Sequence, residues 1–127
     1  LEIDFCSTPF SEEEVDLLKD VGAPFLKVAS CDLTNWSLLK YMAHQNLPII
    51  LSTGMADLSE IDEAVRLLEN EGAKDIAILH CIAIYPPKNE DINLNNIPML
   101  AKAFNSPIGF SDHSVYQRPY NHRVTIF

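Results

Sequence analysis

Residues 25–32 have the sequence Phe-Leu-Lys-Val-Ala-Ser-Cys-Asp, an apolar run with one lysine in its middle and polar residues at its end. Such a run after a proline is typical of a buried strand, and because side chains alternate along a strand, Phe25, Lys27 and Ala29 share one face. Lys27 therefore occupies a position where a core residue is expected. Because a buried, unpaired ammonium is unfavourable, we expect an anionic neighbour, a lowered pKa or a ligand cavity there, unless the side chain extends to the rim of the fold.

Similar apolar runs recur along the chain, each followed by a helix or a turn. The predicted strands are residues 3–7, 25–32, 49–55, 76–81 and 107–113. Four helices are predicted. Two begin at the capping boxes Ser11/Glu14 and Asp57/Glu60, one begins at Trp36, and a short one lies near Pro98. This alternation indicates a parallel sheet with right-handed crossovers. Polar residues at several strand ends favour a barrel, and the lack of a G-x-G-x-x-G motif argues against a Rossmann-type site. The predicted fold class is α/β, a partial TIM (β/α)8 barrel.

The composition is that of an acidic globular domain. The 127 residues are 47% hydrophobic and carry a net charge of −9, which argues for one apolar core and against nucleic acid or an anionic membrane as a partner. The three cysteines lack metal-type spacing and are expected to be reduced thiols, which predicts a cytoplasmic protein. No apolar stretch of the sequence has membrane-spanning length.

Hydroxyl side chains follow the ends of four predicted strands. They are Thr8, Ser30, Ser52 and Ser111, and Lys27 is the only cation that the strands supply. Because the carboxyl ends of parallel strands meet at one edge of a sheet, we expect these groups to converge. Hydroxyl and backbone N–H donors around one lysine suit a phosphate or a carboxylate. One serine at a strand end is more often a turn residue, so the prediction depends on all four strands sharing the pattern.

His113 is the candidate metal ligand or general base, because imidazole titrates near neutrality and binds divalent ions in its neutral form. A structural histidine is the alternative. His80 lies deeper in an apolar strand and is expected to be structural, while His44 and His122 are expected at the surface. Tyr85 precedes two prolines, and we expect it either to form a wall of the site or to pack a turn.

Several of these residues belong to short motifs that occur in a fixed order along the chain. The motifs are Ser7-Thr8-Pro9-Phe10, Lys27-Val28-Ala29-Ser30, Asp32-Leu33-Thr34-Asn35, Leu51-Ser52-Thr53-Gly54-Met55, Leu79-His80-Cys81, Tyr85-Pro86 and Gly109-Phe110-Ser111-Asp112-His113. In order and spacing they resemble the sialic acid synthases, a family that includes N-acetylneuraminate, legionaminate and pseudaminate synthases and the related spore coat polysaccharide proteins. The resemblance extends over residues 3–114.

The resemblance implies a TIM barrel that condenses phosphoenolpyruvate with an N-acylated amino-sugar aldehyde, releases phosphate and forms a nonulosonic acid. It also implies a divalent metal ion, Mn²⁺ or else Mg²⁺ or Co²⁺, that polarises the aldehyde. By position in the motifs, the substrate-binding residues are Thr8, Lys27, Ser30, Ser52, Tyr85 and Ser111, the catalytic residues are Lys27 and Asp32, and His113 is a metal ligand. Full-length members of the family are expected to be homodimers.

The chain departs from the family pattern in several places. Ile82 and Ala83 occupy positions where many relatives carry a hydroxyl or an amide, and the likeness ends after residue 114. The family's first two strands, its second metal-binding histidine and its antifreeze-like domain have no counterpart here. His122 is not in the strand context of that second histidine, and we do not assign it as a ligand.

We therefore predict a synthase barrel portion over residues 1–114, about strands three to seven with the intervening helices, and an atypical tail over residues 115–127. This chain is expected not to turn over substrate by itself. Two other functions stay open. In the first, Lys27 acts as a Schiff-base nucleophile in an aldolase-like barrel. In the second, the chain is a non-catalytic interaction fragment.

Overall fold

The architecture is a layer of helices on a parallel sheet, seen in a computed structural model that describes residues 3–114. The strands are β1 (Leu26–Val28), β2 (Ile49–Ser52), β3 (Ile76–Cys81) and β4 (Ile108–Ser111). They form one four-stranded sheet in the order β1-β2-β3-β4, and every neighbouring pair is parallel. The helices are α1 (Glu12–Asp20), α2 (Trp36–Ala43), α3 (Leu58–Asn70) and α4 (Asn96–Ala103), and 3₁₀ turns span Ser30–Asp32 and Asn89–Asp91. The predicted α/β class with a parallel sheet is confirmed.

Two of the helices begin where capping residues were expected. At α3, the Asp57 carboxylate accepts the Glu60 N–H and the Glu60 carboxylate accepts the Asp57 N–H, both at 2.9 Å, which completes a capping box. At α1, Ser11 accepts the Glu14 N–H at 3.3 Å, but the Glu14 carboxylate accepts the Phe10 N–H at 2.7 Å. The box predicted at α1 is therefore only half formed, because the glutamate bonds the residue before the cap.

Strand alternation divides the sheet into two faces. The helix face consists of Leu26, Val28, Ile49, Leu51, Ile76 and Ile78, which are buried in one cluster with apolar side chains of the helices. We call the opposite face the site face, and it carries Lys27, Ile50, Ser52, Leu79, Cys81 and Ser111.

The helices cover the helix face with fully buried apolar side chains. Val15 of α1, Leu39 and Met42 of α2 and Leu68 of α3 have no exposed surface. Burial of each such leucine contributes roughly 1.5–3 kcal/mol to folding. The core of the described chain therefore lies between the helices and one face of the sheet, and the alternate residues of the same strands are left for other roles.

The strand predicted at residues 3–7 is wrong. Residues 3–9 form no strand in the structure, and no backbone hydrogen bond pairs them with β1 within the described part of the chain. Ile3 and Phe5 are 81% and 59% exposed, so the apolar alternation buries neither side chain. Alternation leads to a strand only where a neighbouring strand and a packed face are available.

The predicted strands at residues 25–32 and 107–113 are also longer than those observed. β1 ends at Val28 because the chain turns into the 3₁₀ turn at Ser30, and β4 ends at Ser111. None of the helices in residues 3–114 is both long and apolar enough to cross a bilayer. The predicted tail, residues 115–127, and with it His122 lie outside the described residues.

Candidate anion-binding site

Three of the predicted site residues lie on the site face near the carboxyl ends of the strands. Lys27 of β1 is in register with Ile50, two residues before Ser52 on β2, so Lys27 and Ser52 project from the same face. Ser111 of β4 is in register with Cys81 at the end of β3. The predicted convergence of Lys27, Ser52 and Ser111 at one face of the sheet is therefore observed.

Lys27 is half-buried, and no ion pair within residues 3–114 includes it. Desolvation by burial lowers the pKa of its ammonium group, and the thiols of Cys81, Cys6 and Cys31 offset that effect only in part. Of the outcomes expected for this lysine, a lowered pKa agrees with its burial, and the described residues supply no carboxylate partner. A half-buried cation without a counter-charge is a suitable place for an anionic ligand.

Ser52 carries the least satisfied polar group on this face. Its side chain is only 2% exposed, and its hydroxyl oxygen has no hydrogen-bond partner within the described chain. The next residue behaves differently, because the Thr53 hydroxyl donates to the Leu79 carbonyl at 3.0 Å. Buried hydroxyls are nearly always hydrogen-bonded, so the Ser52 hydroxyl is a position at which a polar ligand can supply the missing partner.

The Ser30 hydroxyl lies where β1, β2 and β3 meet. Its oxygen accepts the Gly54 N–H at 2.9 Å and lies 3.2 Å from the Cys81 sulfur. Ser30 opens the 3₁₀ turn after β1, and Gly54 lies two residues past the end of β2. The contacts therefore bind three strand ends together through one serine, which is the role of a positioned hydroxyl rather than of an exposed turn residue.

His113 is held in one tautomer by a backbone carbonyl. Its Nδ1 lies 2.7 Å from the Ile82 carbonyl oxygen, and because a carbonyl only accepts, Nδ1 carries the proton. The lone pair of the neutral ring is then on Nε2, which lies 3.2 Å from the Ser111 hydroxyl. Metal-binding histidines are commonly oriented by such a bond to a carbonyl, so the geometry of His113 suits the predicted ligand role.

Tyr85 stacks on the His113 ring, with ring centroids 4.2 Å apart and an interplanar angle of 26°. Tyr85 is 71% exposed, so the phenol covers the imidazole on one side while its own outer surface meets solvent. Of the two roles expected for Tyr85, a wall of the site agrees with this contact.

His80 contrasts with His113 and has the structural role expected of it. Its Nε2 lies 2.7 Å from the Ile92 carbonyl oxygen, and its ring stacks on Phe110 with centroids 5.7 Å apart. His80 is 4% exposed and projects from the face opposite that of Cys81. His44 is exposed, as expected, and pairs with Glu71 at 3.0 Å.

The structure does not join Thr8 and Asp32 to this group through hydrogen bonds. Thr8 is half-buried in the segment before α1, and Asp32 accepts the Asn35 side-chain amide at 3.2 Å and the Cys31 thiol at 3.6 Å. Asp32 therefore stabilises the turn before α2. Its predicted catalytic role and the predicted ligand role of Thr8 stay predictions.

The donor set for a metal ion is incomplete within the described chain. No group of three or more His, Cys, Asp or Glu side chains in residues 3–114 is arranged to hold an ion. Among residues 3–114, His113 alone has an orientation suited to a metal ligand, and its predicted metal-binding role stays a prediction.

One cavity of the described chain lies at the opposite ends of the strands from these polar residues. Its volume is about 430 Å³, and it is lined by Phe25, Pro48, Ile76 and Pro107 near the amino ends of the strands. We place the candidate site at the carboxyl edge because Lys27, the hydroxyls and His113 lie there, and parallel α/β folds bind ligands at that edge.

The chain is similar to known proteins over most of its length. The model of the NeuB family matches residues 1–120. The chain belongs to the NeuB family. The N,N'-diacetyllegionaminic acid synthase of Campylobacter jejuni is 46% identical over 114 residues, which are 88% of this chain and 34% of that protein. The chain thus spans about a third of the length of its curated NeuB relatives.

Solved structures show the same relationship. The spore coat polysaccharide biosynthesis protein SpsE of Bacillus subtilis has a TM-score of 0.87 and 45% identity, and the match covers 90% of this chain and 32% of that one. The N-acetylneuraminic acid synthetase of Leptospira borgpetersenii, crystallised in complex with citrate, has a TM-score of 0.85 and 41% identity, with 89% and 39% covered. The resemblance to sialic acid synthases predicted from the motifs is confirmed. The relatives from Campylobacter jejuni and Leptospira borgpetersenii are named as a synthase and a synthetase, which supports an enzyme by family resemblance.

Two residues of the site were missed in the sequence analysis. Cys81 and Gly54 contact Ser30, but the sequence analysis treated them only as parts of motifs. Alternation contains the signal for Cys81, because a structural His80 directed toward the helices places the next side chain on the site face. The signal for Gly54 is weaker, since its role depends on a close approach between two strand ends.

Proposed function

We propose that the site face binds phosphoenolpyruvate as part of a nonulosonate synthase, which condenses it with an N-acylated amino-sugar aldehyde and releases phosphate. The buried Ser52 hydroxyl, which has no hydrogen-bond partner within residues 3–114, lies on the same sheet face as the half-buried Lys27 of the neighbouring strand, and this is the observation that carries the proposal. A small ligand with phosphate and carboxylate groups would pair with Lys27 and accept hydrogen bonds from Ser52 and Ser30. The Ser111 hydroxyl donates to the lone pair of His113 Nε2, so it would become a donor to the ligand once an ion takes that lone pair. Thr8 and Tyr85 would complete the substrate contacts, with Asp32 on the sugar side.

The proposed roles of the site residues follow from the charge of Lys27 and the tautomer of His113. Lys27 neutralises the anion, and the hydroxyls orient it without adding further positive charge. His113, with its lone pair on Nε2, would hold a divalent ion such as Mn²⁺, Mg²⁺ or Co²⁺. Such an ion, when bound, polarises the aldehyde oxygen for attack by the enol carbon. Ser111 lies beside Nε2 and would hold the anion close to that ligand.

We further propose that the four strands lie within strands three to seven of an eight-stranded barrel, and that the whole protein is a cytoplasmic homodimer. The helices pack on one face of the sheet, as they do in a barrel, and the site face corresponds to the barrel interior. Because the chain spans about a third of the length of its relatives, turnover is proposed to need residues beyond it.

Calorimetric titration with phosphoenolpyruvate tests the proposal. We expect binding by the chain, a loss of affinity in Ser52→Ala, and no change in the control Ser59→Ala, which removes an exposed hydroxyl on α3. Equal affinity in Ser52→Ala and the parent chain, or no binding at all, would contradict it. Phosphate release from phosphoenolpyruvate, N-acetylmannosamine and Mn²⁺ is a separate assay, and robust turnover would refute the view that this chain is incomplete.

The lowered pKa of Lys27 also favours a second candidate, a Schiff-base aldolase, because a more readily deprotonated amine is a better nucleophile. Borohydride reduction in the presence of pyruvate distinguishes the two. The synthase proposal predicts no covalent adduct at Lys27 by mass spectrometry, and a stable adduct that is absent from Lys27→Met would favour the aldolase.

A further inference from the structure

The Ser30 hydroxyl has more neighbours than a turn residue requires. A serine hydroxyl offers one hydrogen to donate and two lone pairs to accept. One lone pair is taken by the Gly54 N–H at 2.9 Å. The Cys81 sulfur, 3.2 Å away, is the second neighbour, and geometry alone allows either group to donate.

The two directions of this bond have different consequences. If Ser30 donates to the sulfur, its only hydrogen is used inside the protein and none is left for an anion. If the Cys81 thiol donates to Ser30, both lone pairs of the oxygen are filled, and the hydroxyl hydrogen must point elsewhere. Sulfur is a weak acceptor, so the second arrangement gives up only a weak bond from the Ser30 hydroxyl to the sulfur. It leaves the Ser30 O–H, a stronger donor than the thiol, free for a ligand.

We infer that Cys81 is a positioning residue, whose thiol donates to the Ser30 oxygen and, together with the Gly54 N–H, makes the Ser30 hydroxyl a dedicated donor to an anionic ligand. The inference rests on the proposed function for the identity of that ligand. An independent observation on the site face also points to a polar ligand, because the buried Ser52 hydroxyl has no hydrogen-bond partner within the described chain.

Close packing between Gly54 and Cys81 fixes this arrangement. A Cβ atom placed on Gly54 would lie 2.8 Å from the Cys81 sulfur, 2.9 Å from the Cys81 carbonyl oxygen and 3.1 Å from the Ala83 nitrogen. Two of these atoms are backbone, so they yield little. Cys81 is itself only 3% exposed, which leaves its sulfur little room to turn away from Ser30.

The infrared S–H stretching band of Cys81 tests the donor direction without any ligand. In a Cys6→Ser/Cys31→Ser chain, Cys81 is the only thiol, so its band is seen alone. We expect the band to move to higher frequency when Ser30→Ala is added, because the S–H group loses its acceptor. An unchanged band would overturn the inference.

Phosphoenolpyruvate affinity tests the consequence. Cys81→Ala should weaken binding about fivefold, and Cys81→Ser, which keeps a donor, should retain most of the affinity. In a Ser30→Ala background, Cys81→Ala should cause no further loss, whereas an equal loss there would overturn the inference. Ile78→Val, a buried change on the helix face of the same strand, controls for lost stability. If the parent chain binds no phosphoenolpyruvate, the proposed function fails, while the infrared band still decides the role of Cys81.

Discussion

The two faces of the sheet are built from alternate residues of the same strands, yet their polar groups differ in how completely they are paired. On the helix face, apolar side chains fill the space, and the one buried imidazole, His80, bonds a carbonyl and stacks on Phe110. On the site face, Lys27 lacks an ion pair within the described residues and Ser52 lacks a hydrogen bond there. Incomplete pairing, rather than polarity itself, therefore distinguishes the site from the core.

His80 of β3 and His113, which lies two residues past the end of β4, differ in what surrounds their rings. Each ring donates an N–H to a backbone carbonyl oxygen 2.7 Å away, that of Ile92 for His80 and that of Ile82 for His113. His80 is then enclosed among apolar groups, whereas the second nitrogen of His113 faces the Ser111 hydroxyl. The Nε2 lone pair of His113 accepts from a hydroxyl that a ligand can replace, whereas His80 is enclosed as a core residue.

The largest effect is expected from a cavity on the helix face. Leu39→Ala removes a side chain with no exposed surface and should lower the free energy of unfolding by about 3 kcal/mol, as measured by urea denaturation. Phosphoenolpyruvate affinity should be unchanged under conditions where the variant is folded. A loss of affinity in the folded variant would contradict the assignment of stability to the helix face and of ligand binding to the site face.

Lys27→Met should separate binding from stability. Removing the charge is expected to weaken phosphoenolpyruvate binding on the order of 100-fold. The free energy of unfolding should rise in Lys27→Met. Burial lowers the pKa of the Lys27 ammonium, so the unfolded parent chain binds a proton at Lys27 more tightly than the folded chain does, and the substitution removes this cost of folding.

The lowered pKa of Lys27 makes the stability of the parent chain depend on pH. Between the lowered pKa and the ordinary lysine value of about 10.4, the unfolded state carries more protons, so stability contributed by this group rises with pH. Thermal melts of Lys27→Met should show a higher midpoint at neutral pH and a smaller rise toward alkaline pH. A lower midpoint would mean that Lys27 has a stabilising partner.

Gly54→Ala tests the close approach between strand ends. Overpacking against the backbone of Cys81 and Ala83 should cost roughly 1–3 kcal/mol of unfolding free energy, and it should disturb the position of Ser30 as well. Gly72→Ala is a partial control, since a Cβ there meets no atom within 4 Å, although its φ of +100° adds backbone strain. A fully stable Gly54→Ala chain would show that this approach is not restrictive.

Ser52→Ala is expected to give the smallest change. Its hydroxyl has no partner within the described chain, so the variant should be as stable as the parent or slightly more stable, with phosphoenolpyruvate affinity reduced about fivefold. Equilibrium denaturation and calorimetry measure the two quantities. Clear destabilisation would show that Ser52 already has a structural bond.

The parallel α/β architecture and much of the polar strand edge could be predicted from sequence, because strand period, capping residues and polar strand ends are local signals. The placement of Lys27, Ser52 and Ser111 on one face needs the register of the four strands as well as alternation, and only the alternation is a local signal. The strand at residues 3–7 failed because alternation does not show whether a neighbouring strand will pair with it. Element ends failed for a similar reason, since the 3₁₀ turn at Ser30 depends on contacts with Gly54 and Cys81.

The roles of Thr8 and Asp32 show the limit of motif positions. A motif places a residue near an edge, but which hydrogen bond it forms depends on neighbours distant in sequence. Asp32 bonds Asn35 of its own motif and the preceding residue Cys31, a local arrangement that reveals nothing about a substrate. The Cys81 contact with Ser30 spans 51 positions and could be found only in the folded chain.

The most direct test of the account is a titration of the isotope-labelled chain with phosphoenolpyruvate, followed through its backbone amide chemical shifts. The account predicts saturable shifts at Ser52, Gly54 and Ser111, with the amides around Leu39 and Leu68 unaffected. Saturating ligand that shifts only residues at the amino ends of the strands, such as Lys74, or that shifts none, would contradict it.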